Sequence, residues 1–108
     1  MIAARDPEGL ARVAAAMGAA KTVVCDVTVA ADRERLIAEA RDVGPIDLLV
    51  NNAGYEVPVS VVDHRPEDVD QQVAVNLLAP IHLTKLVLPD LIARGTGAVV
   101  MISSMSGK

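Results

Sequence analysis

The chain has 108 residues, 52% of them hydrophobic, so it is long enough to form one small domain with a hydrophobic core. Its net charge of −4 and its lack of a basic cluster argue against a nucleic-acid-binding surface. One cysteine excludes an internal disulfide and fits a reducing compartment. We see no signal-peptide core, membrane-spanning run or metal-ligand set, and therefore expect a cytoplasmic protein without a membrane partner.

The first half of the chain predicts strands alternating with helices. Residues 1–4 form an apolar strand stub, and a helix is expected from Pro7, capped by Asp6 and ended by Gly18. Its apolar residues have the spacing of one buried stripe: Leu10, Val13, Ala14 and Met17. Residues 22–25 predict a buried strand, in which Cys25 is interpreted as a small core residue.

Residues 30–43 predict an amphipathic helix. Its apolar stripe consists of Leu36, Ile37, Ala40 and Val43, and the charged residues from Asp32 to Arg35 are expected on its solvent face. Gly44-Pro45 predicts its end.

The next stretch, Leu48 to Gly54, is an apolar run that ends in two asparagines and a glycine. A run of this kind predicts a strand buried on both faces. Polar residues at the carboxyl end of such a strand point into the crevice where open parallel sheets bind ligands. Taken alone, however, Asn51-Asn52 favours the interpretation of an ordinary turn.

The second half continues the alternation. An irregular loop is expected over residues 53–65, a long helix over 66–94 that ends at Gly95, and a strand over 98–102. The helix is apolar nearly all round from Leu77 to Ala93, which indicates burial on more than one side or an oligomer interface. Strands and helices in this order predict a parallel α/β sheet.

Four markers in this order resemble the short-chain dehydrogenase/reductase family. They are Asp26-Val27, Asn51-Asn52-Ala53-Gly54, Val75-Asn76 and Ile102-Ser103-Ser104. Their order and rough spacing match the family over essentially the whole chain. The resemblance implies a partial Rossmann-type, doubly wound parallel sheet with helices on both faces, and residues 1–108 as a partial NAD(P)-binding domain.

The resemblance implies a cofactor site with an adenosine end and a nicotinamide end. At the adenosine end, Asp26 would accept from the adenine amino group, Val27 would contact the ring through its backbone, and Arg5 would bind the 2′-phosphate of NADP. The alternatives are a plain turn acid for Asp26 and an ordinary surface arginine for Arg5. Because Asp6 is also close to this strand tip, NAD stays possible, although we favour NADP.

Further along the chain, the resemblance implies that Asn52, Ala53 and Gly54 pass along the cofactor, where a side chain at Gly54 would obstruct close approach. Val75, Ile102 and Ser103 are also expected on the cofactor side. Two residues are implied in catalysis. Ser104 would hydrogen-bond the substrate carbonyl, and the backbone of Asn76 would hold a water of the proton relay.

Two departures from the family affect this interpretation. The family begins with a central strand and a glycine-rich turn that binds the pyrophosphate, and this chain begins after that point. The family's acid/base, a tyrosine with a lysine four residues later, should follow Ser104 by about a dozen residues, but the printed sequence ends at Lys108. We therefore expect a truncated chain that lacks the first strand and shows no turnover alone.

The resulting hypothesis is an NAD(P)-dependent oxidoreductase that transfers hydride between nicotinamide and a small alcohol or ketone, and that forms a homo-oligomer through the helix over 66–94. The alternative is a non-catalytic chain that acts by association or by residual nucleotide binding. His64 and His82 are interpreted as structural or solvated, because neither has a matching acid or serine partner. Gly95-Thr96-Gly97 is rejected as a phosphate-binding fingerprint, because its glycines follow a helix and precede a strand.

Overall fold

The computed structural model describes residues 1–18 and 20–104. The chain divides at Pro45 into two compact units, which we call unit 1 (Met1–Pro45) and unit 2 (Ile46–Lys108). Each unit contains one pair of parallel strands together with helices, which confirms the predicted α/β class. The assignment of the whole chain to one Rossmann domain stays a prediction.

Unit 1 has the element order predicted from the sequence: β1 (Ile2–Ala4), α1 (Pro7–Met17), β2 (Thr22–Val24) and α2 (Ala30–Val43). Strands β1 and β2 pair in parallel, with Ile2 opposite Thr22. Helix α1 begins as expected, because the Asp6 carboxylate accepts a hydrogen bond of 3.1 Å from the Glu8 backbone N–H. It ends at Gly18, whose φ of 85° suits a residue without a Cβ.

The core of unit 1 is small. Five apolar side chains are buried: Leu10, Val23, Cys25, Leu36 and Ile37. The buried stripe predicted on α1 is wrong for Val13 and Met17, which are 49% and 62% exposed, because two short strands cover only a narrow part of the helix. On α2, Val43 is likewise 62% exposed. Cys25 is a core residue as predicted, and burial raises the pKa of its thiol.

Unit 2 contains strands β3 (Leu48–Asn51) and β4 (Ala98–Met101), which pair in parallel with Leu48 opposite Ala98. A short 3₁₀ turn, Val61–Asp63, interrupts the irregular loop that follows β3. The long helical segment comprises α3 (Pro66–Val73), one π-helical turn (Ala74–Leu78) and α4 (Ala79–Arg94). It ends at Gly95 in the left-handed conformation, as predicted.

The buried apolar residues of the long helical segment lie four residues apart on one face: Val75, Ala79, Leu83, Val87 and Leu91. The prediction that β3 is buried on both faces is wrong, since Leu48 and Val50 are 54% and 48% exposed. Helix α4 packs against the β3–β4 pair. Among the described residues of unit 2, no second helix covers the outer side chains of β3.

The helical segment Pro66–Arg94 is 29 residues long and contains an apolar stretch with a mean hydropathy of 1.3, so by length and composition alone it could cross a membrane. The expectation that no segment reaches such a length is therefore wrong. Core helices of soluble proteins pass the same test, but they are mostly buried, whereas 22% of this apolar stretch is buried. Val87 and Leu91 are buried within unit 2. The cytoplasmic location stays a prediction.

Candidate functional site

The residues predicted at the adenosine end of a cofactor lie in unit 1: Asp26 and Val27 in the turn between β2 and α2, and Arg5 directly after β1. The Val29 N–H donates to the Asp26 carbonyl oxygen at 3.0 Å and closes this turn. Oδ1 of Asp26 accepts from both the backbone N–H of Thr28, at 2.9 Å, and its hydroxyl, at 2.6 Å. Asp26 thus has the turn role that the alternative interpretation gave it, through one of its two carboxylate oxygens.

The two hydrogen bonds from Thr28, the side-chain one first, hold the pKa of the Asp26 carboxyl below its ordinary value. The positive charge of Arg5 lowers the pKa further. Arg5 is an exposed residue directly after β1, so the structure brings Arg5 and Asp26 within electrostatic range of each other. Asp26 is consequently an anion at neutral pH.

Three side chains of α2 bind the backbone around this turn. Oδ2 of Asp32 accepts from the Asp26 N–H at 2.8 Å, and Nη1 of Arg33 donates to the Val27 carbonyl at 2.8 Å. Nη2 of Arg35 donates to the Val24 carbonyl at 2.6 Å. The prediction that Arg33 lies on the solvent face is wrong: this side chain is buried, because its guanidinium satisfies the Val27 carbonyl.

Two neighbouring polar groups of the turn are without a hydrogen-bond partner within the described part of the chain: Oδ2 of Asp26 and the backbone N–H of Val27. The first is an acceptor and the second, one residue later, is a donor. A ligand edge that offers a donor beside an acceptor can satisfy both groups.

The remaining predicted site residues lie in unit 2. The β3–β4 pairing continues past the strands, where the Ile102 N–H donates to the Asn51 carbonyl at 3.0 Å. Residues 52–54 and 102–104 therefore leave the same carboxyl edge of a parallel strand pair, where ligands of such sheets bind. These six residues are all exposed. Residues 105–108, including Lys108, lie outside the described part.

Asn51 is the polar residue at this edge that the sequence left unassigned. It is buried, and its Nδ2 donates to Sδ of Met101 at 3.2 Å and approaches Oγ1 of Thr84 at 3.5 Å. The amide thus links β3 with β4 and α4. Its place as the last residue of an apolar strand was the only sequence signal for this inward orientation.

Asn76 lies in the π-helical turn and its side chain binds the loop after β3. Nδ2 donates to the Tyr55 carbonyl at 2.7 Å, and Oδ1 accepts from the Tyr55 N–H at 2.9 Å. The π turn leaves the regular i→i−4 pattern, since the Ala79 N–H donates to the Ala74 carbonyl. π turns occur frequently at functional sites, and no residue pattern in the sequence predicted this one.

Gly54 and Val75 precede the two residues of this contact, Tyr55 and Asn76, and they differ in their surroundings. A Cβ placed on Gly54 would meet only Oδ1 of Asn76, at an ordinary 3.7 Å, and the φ of Gly54 is not positive. The described protein therefore gives no internal reason for glycine at this position. The side chain of Val75, in contrast, is buried in the core of unit 2.

The comparison with protein families identifies the chain. The model of the short chain dehydrogenase family matches residues 1–108. The chain therefore belongs to this family, and its fold is of the Rossmann type found in it.

Individual relatives agree with this assignment. The chain is 38% identical over 109 residues to the ketoacyl reductase HetN of Nostoc sp., covering 96% of this chain and 38% of that protein. It is similar, with a TM-score of 0.80 and 30% identity, to a 3-oxoacyl (acyl-carrier-protein) reductase from Agrobacterium tumefaciens with NADP bound. That match covers 95% of this chain and 42% of the reductase.

A third similarity is to the closed form of a serine dehydrogenase complexed with NADP+, with a TM-score of 0.85 and 27% identity. It covers 97% of this chain and 44% of that enzyme. The chain thus spans less than half the length of each of these relatives.

Proposed function

We propose that the protein is an NADP-dependent oxidoreductase of the short-chain type, transferring hydride between the nicotinamide and an alcohol or ketone, and that the 108 residues, which contain no Tyr-x-x-x-Lys motif, show no turnover by themselves. Membership of the short chain dehydrogenase family supports this proposal. So do the relatives described above, which include reductases and a dehydrogenase, two of them with NADP bound. Individual residues of this chain are assigned to cofactor binding and to catalysis as follows.

The observation that carries the proposal is the pair of unpartnered groups in the turn after β2. Adenine presents an amino donor beside a ring-nitrogen acceptor. Oδ2 of Asp26 and the N–H of Val27 offer the complementary acceptor and donor. We assign the adenine end of the cofactor to these groups.

Arg5 is assigned to the 2′-phosphate of NADP. It is exposed, and its charge acts on Asp26, so a guanidinium is available on the adenosine side. Guanidinium groups bind phosphates bidentately, whereas NAD presents only a hydroxyl at that position. We therefore favour NADP and retain NAD as the alternative.

On the nicotinamide side, we assign cofactor contacts to Asn52, Ala53, Gly54, Ile102 and Ser103 at the carboxyl edge of β3 and β4. The glycine at position 54 supports this, because the described protein leaves room for a Cβ there and a closely approaching ligand would not. Val75 is also assigned to the cofactor side. Because its side chain is buried, this assignment rests on its position next to Asn76 and not on a side-chain contact.

In catalysis the bound cofactor supplies or accepts the hydride. The hydroxyl of Ser104 hydrogen-bonds the substrate carbonyl and stabilises the charge that develops on its oxygen. The backbone of Asn76 holds a water that conducts protons, and the π-helical turn supports this role because it alters the backbone hydrogen bonds around Asn76. The side chain of Asn76 meanwhile fixes the Tyr55 backbone.

We also propose that the helix over 66–94 forms a homo-oligomer interface. Several large apolar side chains on it are exposed, among them Leu77, Ile81, Leu88 and Ile92. Ile81, Leu88 and Ile92 line an open apolar groove of about 510 Å³ together with Met101. The groove also supports the second candidate function, a non-catalytic chain that acts by association.

Calorimetric titration with NADPH and NADH tests the proposal. We expect tighter binding of NADPH, loss of binding of both nucleotides in Asp26→Ala, and loss of the NADPH preference in Arg5→Ala. Arg12→Ala, an exposed arginine on α1, is the matched control and should keep the preference. Equal binding by Asp26→Ala and the unsubstituted chain would contradict the assignment.

Sedimentation velocity tests the interface, with Ile92→Glu expected to shift the protein towards the monomer. Val62→Glu, which introduces the same charge at an 88% exposed position outside the helix, is the control. An oligomer unaffected by Ile92→Glu, or a monomeric unsubstituted chain, would contradict an interface on this helix.

A further inference from the structure

Two side chains of α2, Asp32 and Arg33, hold the turn that contains Asp26 and Val27 from both sides. The N–H of the peptide group joining Cys25 and Asp26 donates to Oδ2 of Asp32 at 2.8 Å. The carbonyl of the peptide group that follows Val27 accepts from Nη1 of Arg33 at 2.8 Å. These two bonds fix the peptide groups before and after the one that joins Asp26 to Val27.

That middle peptide group is the one with a free donor. Its carbonyl, from Asp26, accepts from the Val29 N–H at 3.0 Å. Its N–H, from Val27, is the donor without a partner in the described chain. A peptide group is planar, so fixing its carbonyl and both of its neighbours fixes the direction of this N–H.

Both side chains are themselves held in place. Arg33 is only 9% exposed, and a buried guanidinium is costly unless its N–H groups have acceptors, so its bond to the Val27 carbonyl is a strong constraint. The second oxygen of Asp32 pairs with Arg35 at 3.4 Å, and Arg35 also pairs with Glu39 at 3.3 Å. Asp32 is thus oriented by a charged neighbour on its own helix.

We infer that Asp32 and Arg33 are positioning residues for adenine recognition: they aim the Val27 N–H at the ring nitrogen beside the adenine amino group. The inference rests on the proposed function, because it assumes that Asp26 and Val27 bind adenine. Neither residue touches the ligand. Their effect is to set the geometry of one hydrogen bond in advance, which saves the cost of ordering the turn on binding.

The test measures the hydrogen bond from Val27 directly, with the full chain and two probes. One probe is AMP, and the other is 1-deaza-AMP, in which a C–H replaces the ring nitrogen that would accept from Val27. We expect AMP to bind the unsubstituted chain about threefold to tenfold more tightly, the range for one neutral hydrogen bond. Calorimetry or NMR titration gives both dissociation constants.

In Arg33→Met, which keeps much of the side-chain length and removes the donors, we expect this ratio to fall to about one. Asp32→Ala should lower it in the same way through the other neighbouring peptide group. Arg33→Lys should keep most of the ratio, because an ammonium can still donate to the Val27 carbonyl. Glu34→Gln, an exposed position between the two on α2, is the control and should leave it unchanged.

The outcomes separate the inference from the proposed function. If the unsubstituted chain binds both probes equally, Val27 makes no such bond, and the proposed adenine contact fails together with the inference. If the unsubstituted chain prefers AMP and both Arg33→Met and Asp32→Ala keep that preference, only the positioning role is overturned. Because the two variants act on different peptide groups, a folding defect in one leaves the other to decide.

Discussion

The side-chain amide of Asn76 forms two hydrogen bonds with the backbone of a single residue, Tyr55. It donates to the Tyr55 carbonyl at 2.7 Å and accepts from the Tyr55 N–H at 2.9 Å. One side chain in a π-helical turn thereby fixes the course of the chain just after Gly54. This contact connects the long helical segment of unit 2 with the loop after β3.

Replacing Asn76 should loosen that loop. In Asn76→Ala both bonds are lost, and we expect a decrease in the free energy of unfolding of about 1–2 kcal/mol, at the low end because the bonds are exposed. Urea unfolding measures the decrease, and hydrogen exchange should show a faster Tyr55 amide. Asn52→Ala is the stability control, because Asn52 is exposed and its side chain makes no hydrogen bond within residues 1–18 and 20–104. A Tyr55 amide that exchanges at an unchanged rate would contradict the contact.

Alanine substitutions at Gly97 and Gly95 should differ sharply in their effects. A Cβ on Gly97 would lie 2.7 Å from Cδ2 of Leu91 and 2.8 Å from the Asp47 carbonyl oxygen, and its φ is +125°. We expect Gly97→Ala to cost more than about 2 kcal/mol of unfolding free energy. Gly95 has a φ of +69°, and nothing lies within 4 Å of a Cβ added there. Gly95→Ala should therefore lower the unfolding free energy by only about 1 kcal/mol.

Thermal or urea unfolding of both variants gives the comparison, and Gly44→Ala is the neutral control because nothing lies within 4 Å of its added Cβ. Similar losses in Gly97→Ala and Gly44→Ala would show that Gly97 is not tightly packed.

Gly54→Ala should separate stability from nucleotide binding. The added methyl meets only Asn76 Oδ1 at 3.7 Å, so we expect the unfolding free energy to change by less than about 0.5 kcal/mol. If Gly54 is where the cofactor approaches the backbone, NADPH binding should weaken by about tenfold or more, as for other overpacked contacts. Calorimetric titration and urea unfolding of the same preparation measure both effects. Unchanged NADPH affinity would remove Gly54 from the site.

Stability should fall in acid partly because of Asp26. Its pKa is lowered in the folded chain, so the carboxylate stabilises the fold above its unfolded pKa of about 4, and this contribution is lost as the pH falls through the folded pKa. In Thr28→Val the hydroxyl donor is absent, and the pKa of Asp26 should rise towards its ordinary value. The acid-dependent loss of stability that Asp26 contributes is then smaller, because its folded and unfolded pKa values lie closer together.

An NMR titration of the Asp26 carboxyl carbon, together with urea midpoints across the acid range, measures the effect. Thr96→Val, at an exposed threonine in unit 2, is the control. The carboxyl of Asp68, whose pKa Arg65 lowers, should titrate identically in both variants. An Asp26 pKa that does not respond to Thr28→Val would contradict the role of the hydroxyl.

Local signals in the sequence predicted the ends of helices correctly. Asp6 with Pro7, and Gly95, define helix ends through contacts within a few residues, and both are found as expected. The degree of burial was overestimated: Val13, Met17 and Leu48 are apolar by sequence, but the described strands and helices of each unit cover only part of their surface. Hydrophobic periodicity shows which face is apolar and not whether another element covers it.

The candidate site could be predicted as a set of positions and not as a set of contacts. Asp26 and Asn76 were identified because they belong to motifs that occur along the chain in the order typical of the family. The roles of Arg33 and Asn51 were missed, because each depends on a partner, Val27 or Met101, that periodicity does not reveal. A charged residue on a helix is expected in solvent, and only the position of the Val27 carbonyl explains why Arg33 is buried.

The most direct test of the account is thermal melting of the chain, followed by far-UV circular dichroism, with and without millimolar NADPH. A nucleotide present at about 100 times its dissociation constant should stabilise the fold by about 2.7 kcal/mol. We predict a clear upward shift with NADPH, a smaller one with NADH, and no shift in Asp26→Ala. A melting temperature that neither nucleotide changes, or an equal shift in Asp26→Ala, would contradict the proposal that Asp26 and Val27 bind the cofactor.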